Sequence, residues 1–176
     1  MLHRQFLWPL PNQAWVGDIT FLWTREGWVC LAILVDRCTR AIVGWGTSRH
    51  CDAALAYRCL EVTVSNHSPG RGMIVLHDQG GTYTAGEYQD GIAKIGEFPN
   101  TSRKGNGWDN GVAQLTFATI KIELFANSTL DGKDEVDREL FNHIESFYSR
   151  IRLHSTLGYI TPAERAILAL QESLAA

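Results

Sequence analysis

The sequence predicts a mixed α/β domain, a sheet with helices packed on it. Two observations carry this. Three strand-like stretches joined by short turns fill residues 15–48, and strand and helix patterns alternate from there to the C-terminus. Residues 1–13, with Pro9 and Pro11, read as an extended lead-in to a core over 14–170, and 171–176 read as a tail. Trp15 to Thr24 is rich in β-branched and aromatic residues (Trp15, Val16, Ile19, Phe21, Trp23), which suits a strand. Arg25-Glu26-Gly27 is a turn, and the continuously apolar Trp28 to Val35 suits a strand covered on both faces. Arg40 to Ser48 completes an antiparallel meander.

Asp52 is placed to cap a helix running to about Val64, and Asn66 to Gly72 is a loop. Met73 to His77 reads as a fourth strand, Thr84 to Ile95 as a helix and Phe98 to Thr101 as a fifth strand. Arg103 to Trp108, with glycines on either side of Asn106, reads as a flexible loop. A helix from about Asn110 to Phe125 follows, its apolar stripe Ala113, Phe117, Ile120 and Leu124. A further helix, about Lys133 to Ser149, is expected to bury Val136, Leu140, Ile144 and Phe147. Thr161-Pro162-Ala163-Glu164 combines a capping residue, a proline at the first helical position and a glutamate at the third, opening a C-terminal helix.

Composition excludes several classes. The chain has 176 residues, 45% hydrophobic and 20% charged, which suits one globular domain and not a disordered segment. The longest apolar run, Trp28 to Val35, is eight residues, whereas a membrane span needs about 20. No secretory signal pattern is present, so a soluble, cytoplasmic protein is expected, with no membrane partner. The four cysteines (Cys30, Cys38, Cys51, Cys59) form no C-x-x-C pair, which predicts reduced, partly buried thiols rather than a zinc site. A net charge of −3 excludes a surface coated in cations, but not a local basic strip.

Three features point to chemistry. Asp18 sits within an apolar strand, where a carboxylate needs compensation. Asp78 directly follows a buried strand and precedes Gln79-Gly80-Gly81. The third is the glycine-bracketed loop 103–108. Two carboxylates on neighbouring strands can share a hard divalent cation such as Mg²⁺. The alternatives are a side chain bonded to backbone at a bulge for Asp18 and an Asx-turn for Asp78.

Five strings, in order, decide between these readings. They are Trp15-Val16-Gly17-Asp18-Ile19-Thr20, Val35-Asp36-Arg37-Cys38-Thr39-Arg40, Asp78-Gln79-Gly80-Gly81-Thr82-Tyr83-Thr84, Ser102 through Asn110, and His154-Ser155-Thr156-Leu157-Gly158-Tyr159 followed by Thr161-Pro162. Together they resemble the catalytic core of bacterial insertion-sequence transposases, relatives of retroviral integrases, over about residues 12–168. The resemblance implies an RNase H-like α/β fold with a five-stranded mixed sheet flanked by helices. It also implies cutting and joining of DNA, dependent on Mg²⁺ (or Mn²⁺), by an Asp, Asp, Glu set, and action as a homo-oligomer. Asp18 and Asp78 match the first two acids and are the implied metal ligands. Thirty-five residues lie between Asp78 and position 114, the separation at which the family places its Glu, and position 114 is Gln114.

The substitution has an electrostatic consequence. Two Mg²⁺ ions carry +4, which three carboxylates offset by −3 and the two aspartates by only −2. The Gln114 carbonyl remains an oxygen donor but a neutral one, so weaker binding of one ion and greatly reduced catalysis are expected. Glu123, nine residues on, faces nearly the opposite way, about 13 Å along the helix. Asp36 reads as a turn-forming aspartate and Asp109 as a helix cap, so neither is expected to substitute. Lys121, seven residues after Gln114, shares its helix face; the resemblance implies a basic residue that contacts DNA near the cut there, and the alternative is a solvated surface lysine. Arg103 and Lys104 are candidates for a second DNA-backbone contact; Arg150, Arg152 and His154 read as a third basic patch or, equally, with Tyr148, Ile151 and Leu153, as a packing segment. Trp108 is read as anchoring the loop's hinge. The helix-turn-helix segments with which such transposases read element ends are not expected in this chain, and little sequence specificity is expected of the core by itself. The competing readings are a non-catalytic DNA-binding or multimerising module and a metal-dependent nuclease on the same fold.

Overall fold

The computed structural model describes residues 8–70, 72–77, 86, 88, 90, 107–126 and 129–175. Strands β1 (Ala14–Thr24), β2 (Gly27–Asp36) and β3 (Ile42–Ser48) form the expected antiparallel meander. Helix α1 (Ala53–His67) then crosses to β4 (Ile74–Leu76), which pairs with β1 in parallel. Among the described residues the sheet has four strands in the order β3-β2-β1-β4. The expected fifth strand at 98–101 lies outside the described residues. Of the expected helix over 84–95, residues 86, 88 and 90 are described, and all three are helical.

Helix α2 (Gly107–Phe125) follows, then α3 (Lys133–Phe141), which continues into a π-helical segment, Asn142–Tyr148. Helix α4 (Pro162–Leu174) follows. Strand β2 is buried on both faces from Val29 to Val35, while Trp28 at its start is exposed. On one side Val16, Leu31, Ile33 and Val35 pack with Ala113, Phe117 and Ile120 of α2 and with Val136, Leu140 and Ile144. On the other, Trp15, Cys30, Ala32 and Leu34 pack with Leu55, Ala56, Cys59 and Leu60 of α1.

Two of the three predicted caps form, and Asp109, read as the third, lies inside the first turn of α2, which begins at Gly107. The Asp52 side chain accepts from Leu55 N–H at 2.9 Å. Thr161 and Glu164 bond reciprocally as a capping box. Cys30, Cys38 and Cys59 are buried free thiols, and Cys51 is exposed. Among the described residues no helix is long and apolar enough to cross a membrane.

Three local expectations are corrected. The third strand begins at Ile42 rather than Arg40, because Arg40 takes a left-handed φ of 64° to finish the β2–β3 turn. Helix α2 begins at Gly107, so Gly107 and Trp108 belong to its first turn and not to the preceding loop. The single helix expected over 133–149 widens into the π segment. Val136, Leu140, Ile144 and Tyr148 succeed one another every fourth residue, a spacing that drifts round a 3.6-residue helix and is realigned by a wider turn. Tyr148 (2% exposed) therefore takes the buried place expected for Phe147 (39%).

Candidate functional site

Alternation along β1 sends Val16, Asp18, Thr20 and Leu22 to one face. Val16 and Leu22 are buried there in the core that α2 covers, while Asp18 and Thr20 are half-buried. Asp18 pairs with Ile33 across an unbroken β1–β2 register, so no bulge is needed to place it. Its Oδ1 accepts from Ile19 N–H at 2.8 Å. On the other side of β1 the parallel register joins Val16 to Leu76. Asp78 follows Leu76 by two residues, as Asp18 follows Val16, but Asp78 lies outside the described residues. So do Arg103 and Lys104.

Ala113, Phe117 and Ile120 form the buried stripe of α2, with Leu124 half-buried at its end. Gln114 and Lys121 flank that stripe on one side and are exposed. Lys121 Nζ donates to Thr20 Oγ1 at 2.8 Å, which ties this flank to the Asp18 face of β1. Further along, Phe125 and Lys121 border a cavity with Phe21, Leu22 and Trp23. Helix and strand therefore advance in the same sense. Gln114, about 10 Å before Lys121 along the helix, lies toward the end of β1 that carries Asp18, about 7 Å before Thr20 along the strand.

The other acids near this face are committed elsewhere. Glu123 leaves the opposite flank of α2 and holds Arg152, Oε1 to Nε 2.8 Å, with His143 Nε2 3.2 Å from its other oxygen. Asp36 is buried in the β2–β3 turn. It accepts from the N–H groups of Asn12, Cys38 and Thr39 and from Thr39 Oγ1, all between 2.7 and 3.0 Å. Asp109 lies in the first turn of α2, and its side chain is outside what is described. Among the described residues no three His, Cys, Asp or Glu side chains gather closely enough to hold a metal ion.

The third basic patch does not form as expected. Arg152 is paired with Glu123, and its guanidinium also lies 5.7 Å from the centre of the buried Tyr148 ring. His154 is buried against that ring, at 4.8 Å between centroids, and burial holds its pKa below the ordinary 6.5. It is a neutral packing residue. Arg150 alone of the three is exposed and without a described ion pair.

One feature escaped the sequence reading. Phe21, Trp23 and Trp28, taken there as strand-forming residues, are 50%, 53% and 57% exposed at the end of the β1–β2 hairpin. The available signal was two aromatics at i and i+2 facing a third across a tight turn.

The sheet order, the crossover through α1 and the carboxylate on the central strand define an RNase H-like core of the integrase and transposase type. The structure matches a chain of the simian T-cell lymphotropic virus intasome with a TM-score of 0.72 at 17% identity, over 94% of this chain and 57% of that one. It also matches the HTLV-2 integrase catalytic core domain, solved in complex with magnesium, with a TM-score of 0.63 at 16% identity, over 89% and 97%. The Mos1 mariner transposase catalytic domain gives 0.63 at 15%, over 77% and 71%. At such identities the likeness is one of fold. Residues 9–107 match the integrase core domain family, and the chain belongs to it. That match spans Asp18 and Asp78 and stops short of Gln114. Over 164 residues, 93% of its length, the chain is 34% identical to the transposase for insertion sequence element IS904 of Lactococcus lactis and to the transposase InsF for insertion sequence IS3A of Escherichia coli. It spans 65% and 57% of those relatives' lengths.

Proposed function

We propose that the chain is the DNA strand-cutting and strand-joining core of a transposase, with its chemistry impaired by Gln114 at the third acidic position. The observation that carries this reading is the Lys121–Thr20 hydrogen bond at 2.8 Å, which holds the Gln114 flank of α2 against the strand face that bears Asp18. The donors fit a hard divalent cation: Asp18 offers a half-buried carboxylate, Asp78 a second and Gln114 a neutral carbonyl, with no sulfur or imidazole among them. Asp18 and Asp78 would hold Mg²⁺ (or Mn²⁺). The metal supplies charge compensation at the attacking and leaving oxygens of a phosphodiester.

The chain's own groups bind and orient. The Ile19 N–H fixes the Asp18 carboxylate on its strand. Lys121, exposed and anchored at Thr20, presents its ammonium beside the same face and contacts a DNA phosphate without reading sequence. Arg103 and Lys104 add a backbone contact from the segment preceding α2. Gln114 keeps the length of Glu but brings no charge, so it would hold a second metal only weakly. Action as a homo-oligomer in the cytoplasm belongs to the same reading; the HTLV-2 core is described in both dimeric and trimeric forms.

The test is nicking and joining of a short duplex with Mg²⁺ or Mn²⁺. It compares the unmodified chain, Gln114→Glu, and Gln114→Glu combined with Asp78→Asn. Near-zero activity is expected in the first, recovery in the second and loss in the third. Calorimetric titration without DNA should show one weak metal site at most in the unmodified chain. Full activity in the unmodified chain overturns the impairment. A Gln114→Glu protein that folds, binds metal and stays inert leaves a non-catalytic DNA-binding module as the better account, which the loss of charge at position 114 already favours over a simple nuclease.

A further inference from the structure

We infer that the cavity at the end of the β1–β2 hairpin takes an unpaired nucleotide of the DNA lying on the Asp18 face; the inference rests on the DNA reading above. Trp23 and Trp28 are register partners across the hairpin, and Phe21 precedes Trp23 on the same face of β1. Trp23 and Trp28 meet at 4.8 Å with planes 68° apart, and Phe21 and Trp28 at 6.2 Å and 80°. In such edge-to-face contacts one ring lends its edge, so ring faces remain uncovered. Trp23 and Trp28 are 53% and 57% exposed, which leaves room for a flat partner beside them.

The same rings line a cavity of about 300 Å³, closed on the α2 side by Phe125 and Lys121. Among the described residues that line it, Lys121 carries the one formal charge and none is a carboxylate. Aromatic faces beside a cation make a platform for single-stranded nucleic acid that tolerates any base, because every base has a π-face. A paired base has both faces covered by its stacked neighbours, so an unpaired one is the species that fits. A nucleotide also brings its ring and its phosphate together on one short unit, which matches indoles and an ammonium lining one cavity. An apolar protein segment gains nothing from the Lys121 charge. Phe21 and Trp23 leave β1 on the side opposite Asp18, and the link to the carboxylate face is Lys121, which lines the cavity and bonds Thr20, two residues from Asp18.

The test compares binding of two labelled DNAs, a blunt duplex and the same duplex with a short unpaired end. The unmodified chain should prefer the unpaired end by about tenfold and show quenched tryptophan fluorescence on binding it. Trp23→Ala with Trp28→Ala should abolish that preference and leave blunt-duplex affinity unchanged, while Trp23→Phe with Trp28→Phe retains part of it. Lys121→Ala should weaken binding of both DNAs. A double alanine variant that folds and keeps the preference overturns the inference. So does one that changes only the sedimentation of the protein, which would assign the patch to a second copy of the chain. Absence of binding to either DNA overturns the DNA reading itself, an outcome distinct from loss of the preference alone.

Discussion

Glu123 and Arg152 form an ion pair at 2.8 Å on the flank of α2 turned away from Gln114 and Lys121. The pair ties α2 to the segment after the π-helical turn, and both side chains are mostly shielded from solvent. Glu123→Gln should lower stability by about 1–2 kcal/mol. That amounts to a few degrees in a thermal melt. The same variant should leave metal binding unchanged. A loss of metal affinity on replacing Glu123 would show that this acid serves the site after all.

Asp36 accepts four hydrogen bonds in the β2–β3 turn while almost completely buried. Asp36→Ala strands those donors and should cost about 3 kcal/mol, read as a lower denaturant midpoint. Asp36→Asn keeps the acceptor oxygen and should lose less. Because Asp36 sits in the turn and not on the Asp18 face, the activity restored by Gln114→Glu should persist in Asp36→Asn protein that remains folded.

Gly44 of β3 lies where a Cβ would overlap Thr63 Oγ1 of α1 and stand 2.8 Å from the Thr63 Cβ. Thr63 is itself buried and bonds back to the Cys59 carbonyl. Gly44→Ala should destabilise the protein by about 1–3 kcal/mol through overpacking. Adding Thr63→Ala should restore part of that loss. A double-mutant cycle by urea denaturation measures the coupling; additive effects would mean that strand and helix do not approach this closely.

His143 and His154 both have pKa values held below the ordinary 6.5, chiefly by burial, with the Arg152 charge lowering them further and Glu123 opposing. The unfolded chain therefore takes up these protons more readily than the folded one. The resulting stability is complete above about pH 6.5 and declines as pH falls below it. Denaturation midpoints should drop from pH 7 to pH 5, and His154→Gln should flatten that slope. A midpoint that rises on acidification would reverse the assignment.

Much of this architecture is written in local patterns. The strands of the meander, the Asp52 cap and the Thr161–Glu164 box all form where short-range chemistry places them, because each depends on residues within a few positions of one another. The stripe of α2 is equally plain, since burial of one helix face leaves a period that a sequence displays. The π segment is different. A wide turn keeps Tyr148 in line with Val136, Leu140 and Ile144, and there it meets Thr116 and His154. Tertiary packing decides that choice.

Taken alone, the sequence determines an acid on the first strand, an acid after the fourth and an amide where a third acid belongs, because identity and spacing along a chain are properties of the chain. It also determines that Glu123 and Gln114 face apart, since that follows from helical pitch. Tertiary structure decides which of these groups meet: Lys121 with Thr20, Glu123 with Arg152, and two indoles with a phenyl ring at an open hairpin end. Those contacts join residues as far as 101 positions apart. Strand composition is indifferent to which end of a sheet is left uncovered, and that depends on where the helices come to rest.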